Sequence, residues 1–370
     1  MQAIRLKTEH LIDPIGVDFT APRLFWNCEC GKKQTAYQIV AADDSGSVLW
    51  DSGRVESAAM CARWNGAPVP PKTKVLWSVR LWDENGNSGD WAEATFETGI
   101  GTWSAKWITG DYPVNKKERY PADCFRKAFR ASDVKKARLY ITACGLYEAK
   151  LNGQRIGDVI LAPGITDYRK RVQYQTYDVT ALLQDGENAL TVQLADGWYR
   201  GSCGAWGLKN QYGTETKLLA QLELTRADGS VQTVATDESW EWSNDGPIRF
   251  ADNKDGEVVN ANNTPSYQGK AKVTSHPVMP SASNNVPVTE HERLKAALLT
   301  TPSGKTVLDF GQNIAGYAEF TVTAHAGQKI KLRFGELLDE NGEFTQKNIQ
   351  CANKHITTPL QQVIYTCKEG

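Results

Sequence analysis

What this sequence has little of narrows it first. Of 370 residues only 3 are Met and 5 are His. Apolar residues almost nowhere recur at helical spacing, which excludes a helical bundle; residues 178–183 alone suggest one short turn. No stretch approaches the ~20 apolar residues of a membrane span. No His-x-x-x-His, Gly-x-Ser-x-Gly or phosphate-loop pattern occurs, which removes zinc-hydrolase, serine-hydrolase and nucleotide-binding signatures. The charges nearly cancel, 42 basic against 43 acidic residues, for a net of -1. That balance gives no reason to expect a nucleic-acid or anionic-membrane partner. The 8 cysteines, at 28, 30, 61, 124, 144, 203, 351 and 367, form no Cys-x-x-Cys pair, and Cys28-x-Cys30 is too tight for a zinc knuckle. Unpaired thiols fit a reducing compartment. The N-terminus shows no uninterrupted apolar segment of a signal peptide, so the expected location is cytoplasmic.

Large aromatics and turn signals are plentiful instead. There are 12 Trp and 13 Tyr, residues that suit β-sandwich cores and sugar-stacking surfaces alike. Asn-Gly and Asp-Gly dipeptides recur, among them Asn85-Gly86, Asn152-Gly153, Asp185-Gly186, Asp228-Gly229, Asp245-Gly246 and Asn341-Gly342. They tolerate the positive φ of tight hairpins. Between them lie β-rich runs at 75–82, 137–143 and 218–224, the last alternating with polar Gln221 and Glu223. The pattern predicts an all-β chain: three β-sandwich domains in series with few helices. The predicted domains span 1–101, 102–275 and 286–370. A Pro-, Ser- and Asn-rich connector at 276–285, too poor in apolar residues to pack well, separates the last two.

The motifs then point to one family. The first segment carries Leu49-Trp50-Asp51-Ser52-Gly53 and Trp77-Ser78-Val79-Arg80-Leu81-Trp82. The second carries Leu151-Asn152-Gly153, Leu161-Ala162-Pro163-Gly164 and Asp196-Gly197-Trp198-Tyr199-Arg200-Gly201. The third carries Leu308-Asp309-Phe310-Gly311-Gln312-Asn313 and Gly335-Glu336-Leu337. In this order they resemble the front of bacterial α-L-rhamnosidases of glycoside hydrolase family 78. The resemblance implies a fibronectin type III-like module, a carbohydrate-binding-module-like jelly roll and a third sandwich preceding a catalytic (α/α)6 barrel. It implies that the whole enzyme hydrolyses terminal α-L-rhamnose from glycosides with inversion. Its acid and base would sit in the barrel, which this chain lacks, so no catalytic residue is expected here. Implied partners are rhamnose-containing glycans or glycosides and the catalytic domain, in cis or in trans. No cofactor is required. A free-standing rhamnose-binding module and a scaffold for a separate catalytic subunit are the alternatives.

Sugar contact is expected, if anywhere, in the second segment. Asp196, Trp198, Tyr199, Arg200 and Trp206 share a glycine-rich stretch that combines stacking rings with planar polar groups. The competing reading has Trp198 and Tyr199 plug the sandwich end while Arg200 pairs with a local carboxylate. Some family members hold rhamnose through calcium bound by an Asp-Asn pair on a turn. Asn152 stands at the Asn position and Leu151 at the Asp position, which makes Asn152 both the sugar and the metal candidate. Its competitor is a plain type I′ turn at Asn152-Gly153. Two nominal acid pairs, Asp252 with Asp255 and Glu336 with Asp339, read as solvated turn carboxylates. The run 252–257 looks superficially like a calcium loop, but Lys254 occupies its third position.

Overall fold

The computed structural model describes residues 1–203, 208–349 and 361–368. The expected all-β architecture is what it shows. Among the described residues the helical pieces are a 3-10 turn at Thr180–Leu182 and a single α turn, α1, at Gly197–Arg200.

The first unit has eight strands: β1 (Gln2–Thr8), β2 (Arg23–Glu29), β3 (Ala36–Asp43), β4 (Val48–Asp51), β5 (Val55–Glu56), β6 (Cys61–Arg63), β7 (Lys74–Trp82) and β8 (Ala92–Glu97). One sheet has the order β1-β2-β6; the other runs β4-β3-β7-β8, with β5 also on β3. Period-2 alternation builds the core: Val75, Trp77, Val79 and Leu81 of β7 all point inward. They meet Leu24 and Trp26 of β2.

The second unit begins with β9 (Ile108–Thr109), β10 (Asp123–Ala131), β11 (Val134–Cys144), β12 (Leu146–Leu151), β13 (Gln154–Arg155), β14 (Gln173–Asp178) and β15 (Gly186–Ala195). It continues with β16 (Lys217–Arg226), β17 (Val231–Ala235), β18 (Glu241–Ser243), β19 (Ile248–Asp252), β20 (Gly256–Asn260), β21 (Gly269–Lys270), β22 (Lys272–Val273) and β23 (Ser281–Ala282). A sheet of order β13-β12-β15-β10-β18-β21 lies over one of order β22-β9-β16-β11-β14-β23. Phe125, Leu139, Ile141, Leu190, Val192 and Trp240 are buried in the core they share.

Strands β11 and β16 are buried on both faces over residues 137–144 and 218–224. Their outer face is covered in part by the first unit and in part by residues 103–107 leading into β9. Gln221, polar in an alternating strand, is therefore buried: its Oε1 accepts from the Ser104 amide at 2.8 Å and from the Ala105 amide at 3.2 Å. Glu223 accepts from Lys72 of the first unit at 2.7 Å. The connector, expected to pack poorly, is pinned as well. Ser281–Ala282 pairs parallel to β14, and the Ala282 amide donates to Asp18.

The third segment supplies β24 (Ala297–Thr300), β25 (Thr306–Asp309), β26 (Lys329–Arg333), β27 (Leu337–Leu338), β28 (Phe344–Thr345) and β29 (Gln362–Thr366). Its one larger sheet, β19-β20-β29-β26, takes two strands from before the connector and two from after it. The pairs β24-β25 and β27-β28 stand as two-stranded hairpins.

Candidate functional site

The glycine-rich stretch after β15 folds into α1 and turns inward. Gly197 has φ +53, and a Cβ there would meet Leu146 at 2.7 Å and the Gly145 backbone at 3.0 Å. Only glycine fits that approach. The turn places Asp196 and Arg200 four residues apart, both 4% exposed. Arg200 Nε donates to Asp196 Oδ1 at 2.7 Å; Nη2 lies equally near that oxygen but outside hydrogen-bonding geometry. Its Nη1 donates to the Tyr112 hydroxyl at 2.5 Å. Tyr199 packs edge-on against Tyr168, and Trp198 is half-buried against the same aromatic cluster. Trp206 lies outside the described residues.

A larger charged network surrounds this pair. Asp123, wholly buried at the start of β10, accepts from Thr216 Oγ1 at 2.5 Å and Trp242 Nε1 at 2.9 Å. Arg119 donates to Asp252 Oδ2 at 2.6 Å and also to Asp255. Ser202, two residues after Arg200, donates its amide to Asp252 at 2.7 Å and its hydroxyl to Asp255 at 3.2 Å. Gly201 sits between the two groups, where a Cβ would lie 2.8 Å from Asp252 Oδ2 and 3.2 Å from Asp196 Cβ. Asp252 and Asp255 are thus clamped inside the fold rather than solvated. The second nominal pair does local work. Asp339 accepts from the Asn341 and Glu343 amides of its own turn, and Glu336 accepts from Asn348.

Burial opposes every carboxylate here, and the partners decide the outcome. At Asp252, burial is outweighed by the Arg119 charge and by the Arg119, Lys254 and Ser202 donors, so its pKa is held below the usual carboxylate value. At Asp123, burial wins over Arg200, Thr216 and Trp242, and its pKa is raised. Burial pushes the Asp196 pKa up too, against the pull of Arg200. Arg200 is desolvated in turn, but Asp196, Tyr112 and Asp123 outweigh that and raise its pKa. The guanidinium stays charged, so the Arg200 charge persists beside Asp196.

Asn152 takes no part in this network. It occupies the two-residue turn between β12 and β13 with φ +53, followed by Gly153 at +81, as a type I′ turn requires. Its Nδ2 donates to Leu182 O at 2.9 Å and Asn188 Oδ1 at 2.8 Å, while its Oδ1 accepts from the Ala189 amide at 3.0 Å. Along β15, Ala189 and Asp196 are separated by seven residues of strand and its end, roughly 23 Å. The structure therefore does not bring Asn152 together with Asp196, Trp198, Tyr199 and Arg200. Calcium takes about six to eight oxygen ligands; this turn brings one side-chain oxygen, already accepting a strand amide, so its residues do not fit the ion. Among the described residues no group of three His, Cys, Asp or Glu is placed to hold a metal.

Two surface concavities, of about 610 and 410 Å³, include none of these residues. The first is lined by Lys106, Asp111, Glu238 and Lys272, the second by Glu9, His10, Arg63 and Asn284. Sequence reasoning did not find Tyr112, Arg119 or Asp123. The Asp196–Arg200 spacing was the one local signal available, because Arg119 and Asp252 lie 133 residues apart.

Three family descriptions cover nearly the whole chain. Residues 3–102 match the Rha78A-like N-terminal immunoglobulin domain, 132–298 the α-L-rhamnosidase N-terminal domain, and 299–368 the bacterial α-L-rhamnosidase concanavalin-like domain. An α-L-rhamnosidase of Formosa agariphila is 31% identical over 93% of this chain and 41% of its own length. The crystal structure of native α-L-rhamnosidase from Aspergillus terreus matches 100% of this chain and 44% of its own, with TM-score 0.91 and 31% identity. That of the Streptomyces avermitilis α-L-rhamnosidase, in complex with L-rhamnose, matches 100% and 54%, with TM-score 0.88 and 26% identity. The chain thus spans about half or less of the length of these relatives. Matched in succession by the domains of one enzyme family, it belongs to the α-L-rhamnosidases of glycoside hydrolase family 78, as their N-terminal immunoglobulin-like, N-terminal and concanavalin-like domains.

Proposed function

We propose that this chain is the accessory front of an enzyme that removes terminal α-L-rhamnose from glycosides, and that it supports a catalytic part rather than breaking the bond itself. One observation carries the reading. Glycoside hydrolysis needs two carboxyl groups facing each other across an open site, about 5 to 10 Å apart. The acids that converge here, Asp196, Asp252 and Asp255, are engaged by Arg200 and Arg119 in a closed network. On this reading the Trp198-Tyr199-Arg200 stretch is an internal plug that stiffens the sandwich end, and no cofactor is needed.

The test is turnover of an aryl α-L-rhamnoside by the purified 370-residue chain. None is expected. Hydrolysis abolished by a single carboxylate substitution within the chain would overturn the proposal. Calorimetric titration with L-rhamnose, with and without calcium, separates it from a free-standing sugar-binding module. Flat heats are expected; saturable heats lost on Trp198→Ala favour the module.

A further inference from the structure

The smaller of the two surface concavities, about 410 Å³, is lined by charge that the fold leaves unbalanced. On the outer face of the β1-β2-β6 sheet, Arg23 and Arg63 are direct cross-strand partners. Leu24 and Ala62, the next pair along, point into the core instead. Like charges opposed across a strand pair are destabilising. One lining acid answers the two arginines, and it is spent on one of them. Glu9 Oε1 accepts from the Arg23 amide at 2.7 Å, and its Oε2 accepts from Arg23 Nε at 2.9 Å and Nη2 at 2.6 Å. The nearby Asp18 is engaged by the Tyr174 hydroxyl and the Ala282 amide. The Arg63 side chain is exposed and has no ion-pair or hydrogen-bond partner among the described residues.

The opposite wall is a fixed donor. Asn284, from the connector, accepts on Oδ1 from Arg171 Nη2 at 2.7 Å and from Gln173 Nε2 at 3.3 Å. Arginine can only donate, so the Asn284 oxygen must face it, and the Nδ2 hydrogens are left unengaged at the cleft. The connector itself is held, with the Ser281 and Ser283 amides donating to Val172 and Tyr174 carbonyls at 2.9 Å. His10 is stacked on Phe25 with ring centroids 5.8 Å apart, and Phe19 adds apolar surface. The guanidinium and amide groups still free here, Arg63, Arg23 Nη1 and Asn284 Nδ2, are all donors. A rim of donors with a positive charge in excess favours an oxyanion over a neutral sugar, whose hydroxyls bring donors of their own. The cleft has the size of a small-ligand site, about 300–1,000 Å³, and an aromatic face of the kind a pyranose packs against.

We propose that this cleft, between the immunoglobulin-like unit and the connector, binds the oxyanion of an acidic saccharide, a uronate carboxylate or a sulfate ester, with Arg63 as its anchor and Asn284 as the second donor. The saccharide half of the proposal rests on the reading of the chain as the front of a glycoside-hydrolysing enzyme; the oxyanion half stands on the cleft alone. Together they make acidic, rhamnose-containing glycans the substrate class.

The test is calorimetric titration of the full 370-residue chain at low ionic strength with four probes: a rhamnosyl-uronate disaccharide, a rhamnose sulfate ester, the matching neutral disaccharide and inorganic sulfate. Saturable one-to-one heats are expected with at least one acidic saccharide, weakening as salt is raised. Flat heats are expected with the neutral disaccharide and with inorganic sulfate. The tighter of the two acidic probes tells carboxylate from sulfate. Arg63→Thr is expected to weaken binding about tenfold or more, the worth of a hydrogen bond to a charged group. Asn284→Asp keeps an acceptor for Arg171 and Gln173 but places a negative charge on the wall, and is expected to weaken binding at least as much. Lys272→Ala, in the larger concavity, should change nothing. Arg63 is exposed on an edge strand, so its variant is expected to fold; should it not, Asn284→Asp decides alone. Flat heats with both acidic saccharides would overturn the proposal. So would equal affinity for the neutral disaccharide, or inorganic sulfate binding as tightly as the sulfate ester. Unchanged affinity in the Arg63 and Asn284 variants would place binding elsewhere and overturn it too. The readout is binding, not turnover, so failure of the accessory reading and failure of this one are separate events.

Discussion

Arg119 serves two carboxylates at once. Its side chain is 16% exposed, whereas those of Asp252 and Asp255 are at 0%. Removing the guanidinium while keeping its apolar volume, as Arg119→Met does, leaves two desolvated acids facing each other across Ser202. Breaking a buried ion pair from one side costs about 3–5 kcal/mol. That loss is the expected difference between the two proteins in urea unfolding at neutral pH. The pH dependence follows from Asp252, whose folded pKa lies below the ordinary 3.8 largely because of Arg119. A carboxyl with a depressed folded pKa contributes stability that is complete above the unfolded value and lost as pH falls through the folded one. The gap between wild type and Arg119→Met therefore narrows as pH falls, from the point where the variant's desolvated acids take up protons, and is lost once pH passes through the folded Asp252 value below 3.8. Asp123 and Asp196 are shifted upward by burial in both proteins, but Asp196 also loses the lowering pull of the Arg119 charge in the variant, so its titration adds to the closing of the gap. A gap that stays constant down to about pH 2 would remove Arg119 as the cause of the Asp252 shift.

At the level of elements, the weak point is the parallel pairing of β20 with β29. Gly256 opens β20 at φ +100, and a Cβ there would lie 2.0 Å from the Gln362 carbonyl oxygen. Gly256→Ala meets both a left-handed backbone and a main-chain clash, so the strands must part. The expected cost is at least about 2 kcal/mol, from the backbone penalty and the lost ladder bonds. Gly304 also has positive φ, but a Cβ added to it would have no neighbour within 4 Å; Gly304→Ala is expected to cost only about 1 kcal/mol. Limited proteolysis reads the difference: cleavage after residue 260 accelerates in Gly256→Ala and not in Gly304→Ala, with β11 and β16 equally protected in both. Similar cleavage in the two variants would mean the β20-β29 pairing holds nothing together. Elements of this kind also show what a sequence reveals. The Asn152-Gly153 turn and the alternation in β7 are written locally, in a dipeptide and in a two-residue period. The burial of Gln221 and Glu223 is not, because it is caused by residues far off in sequence, Ser104 and Ala105 over Gln221 and Lys72 of the first unit over Glu223. Nor is the β20-β29 pairing, which joins residues more than 100 positions apart. The Arg119 clamp was invisible for the same reason: nothing near Asp252 in sequence announces its partner.

Across the whole molecule, the first two units are bolted rather than tethered. Glu97, at the end of β8 and 1% exposed, receives both Arg138 Nε and Nη2 from β11 at 2.9 Å, with Lys136 Nζ at 3.2 Å. Asp18 of the first unit holds the Tyr174 hydroxyl at 2.6 Å and the Ala282 amide. Lys72 and Glu223 form a third bridge at 2.7 Å, but its lysine is 39% exposed. The bridges should differ in strength by burial. A bidentate, desolvated pair has coupling near the top of the range of about 0.5–3 kcal/mol found for contacting residues, and an exposed one stays within about 0–1 kcal/mol. A double-mutant cycle on Glu97→Gln and Arg138→Met is therefore expected to give about 2 kcal/mol or more, and the cycle on Lys72 and Glu223 less than half of that. If the Glu97–Arg138 pair makes the two units melt as one body, Arg138→Met should also split a single calorimetric transition into two, the earlier belonging to the immunoglobulin-like unit. Coupling below about 0.5 kcal/mol with an undivided transition would mean that packing around Ile100, Tyr140 and Tyr174, not charge, joins the units. The orientation of the immunoglobulin-like unit on the second unit would then rest on that aromatic contact and on the hydrogen bonds of Asp18.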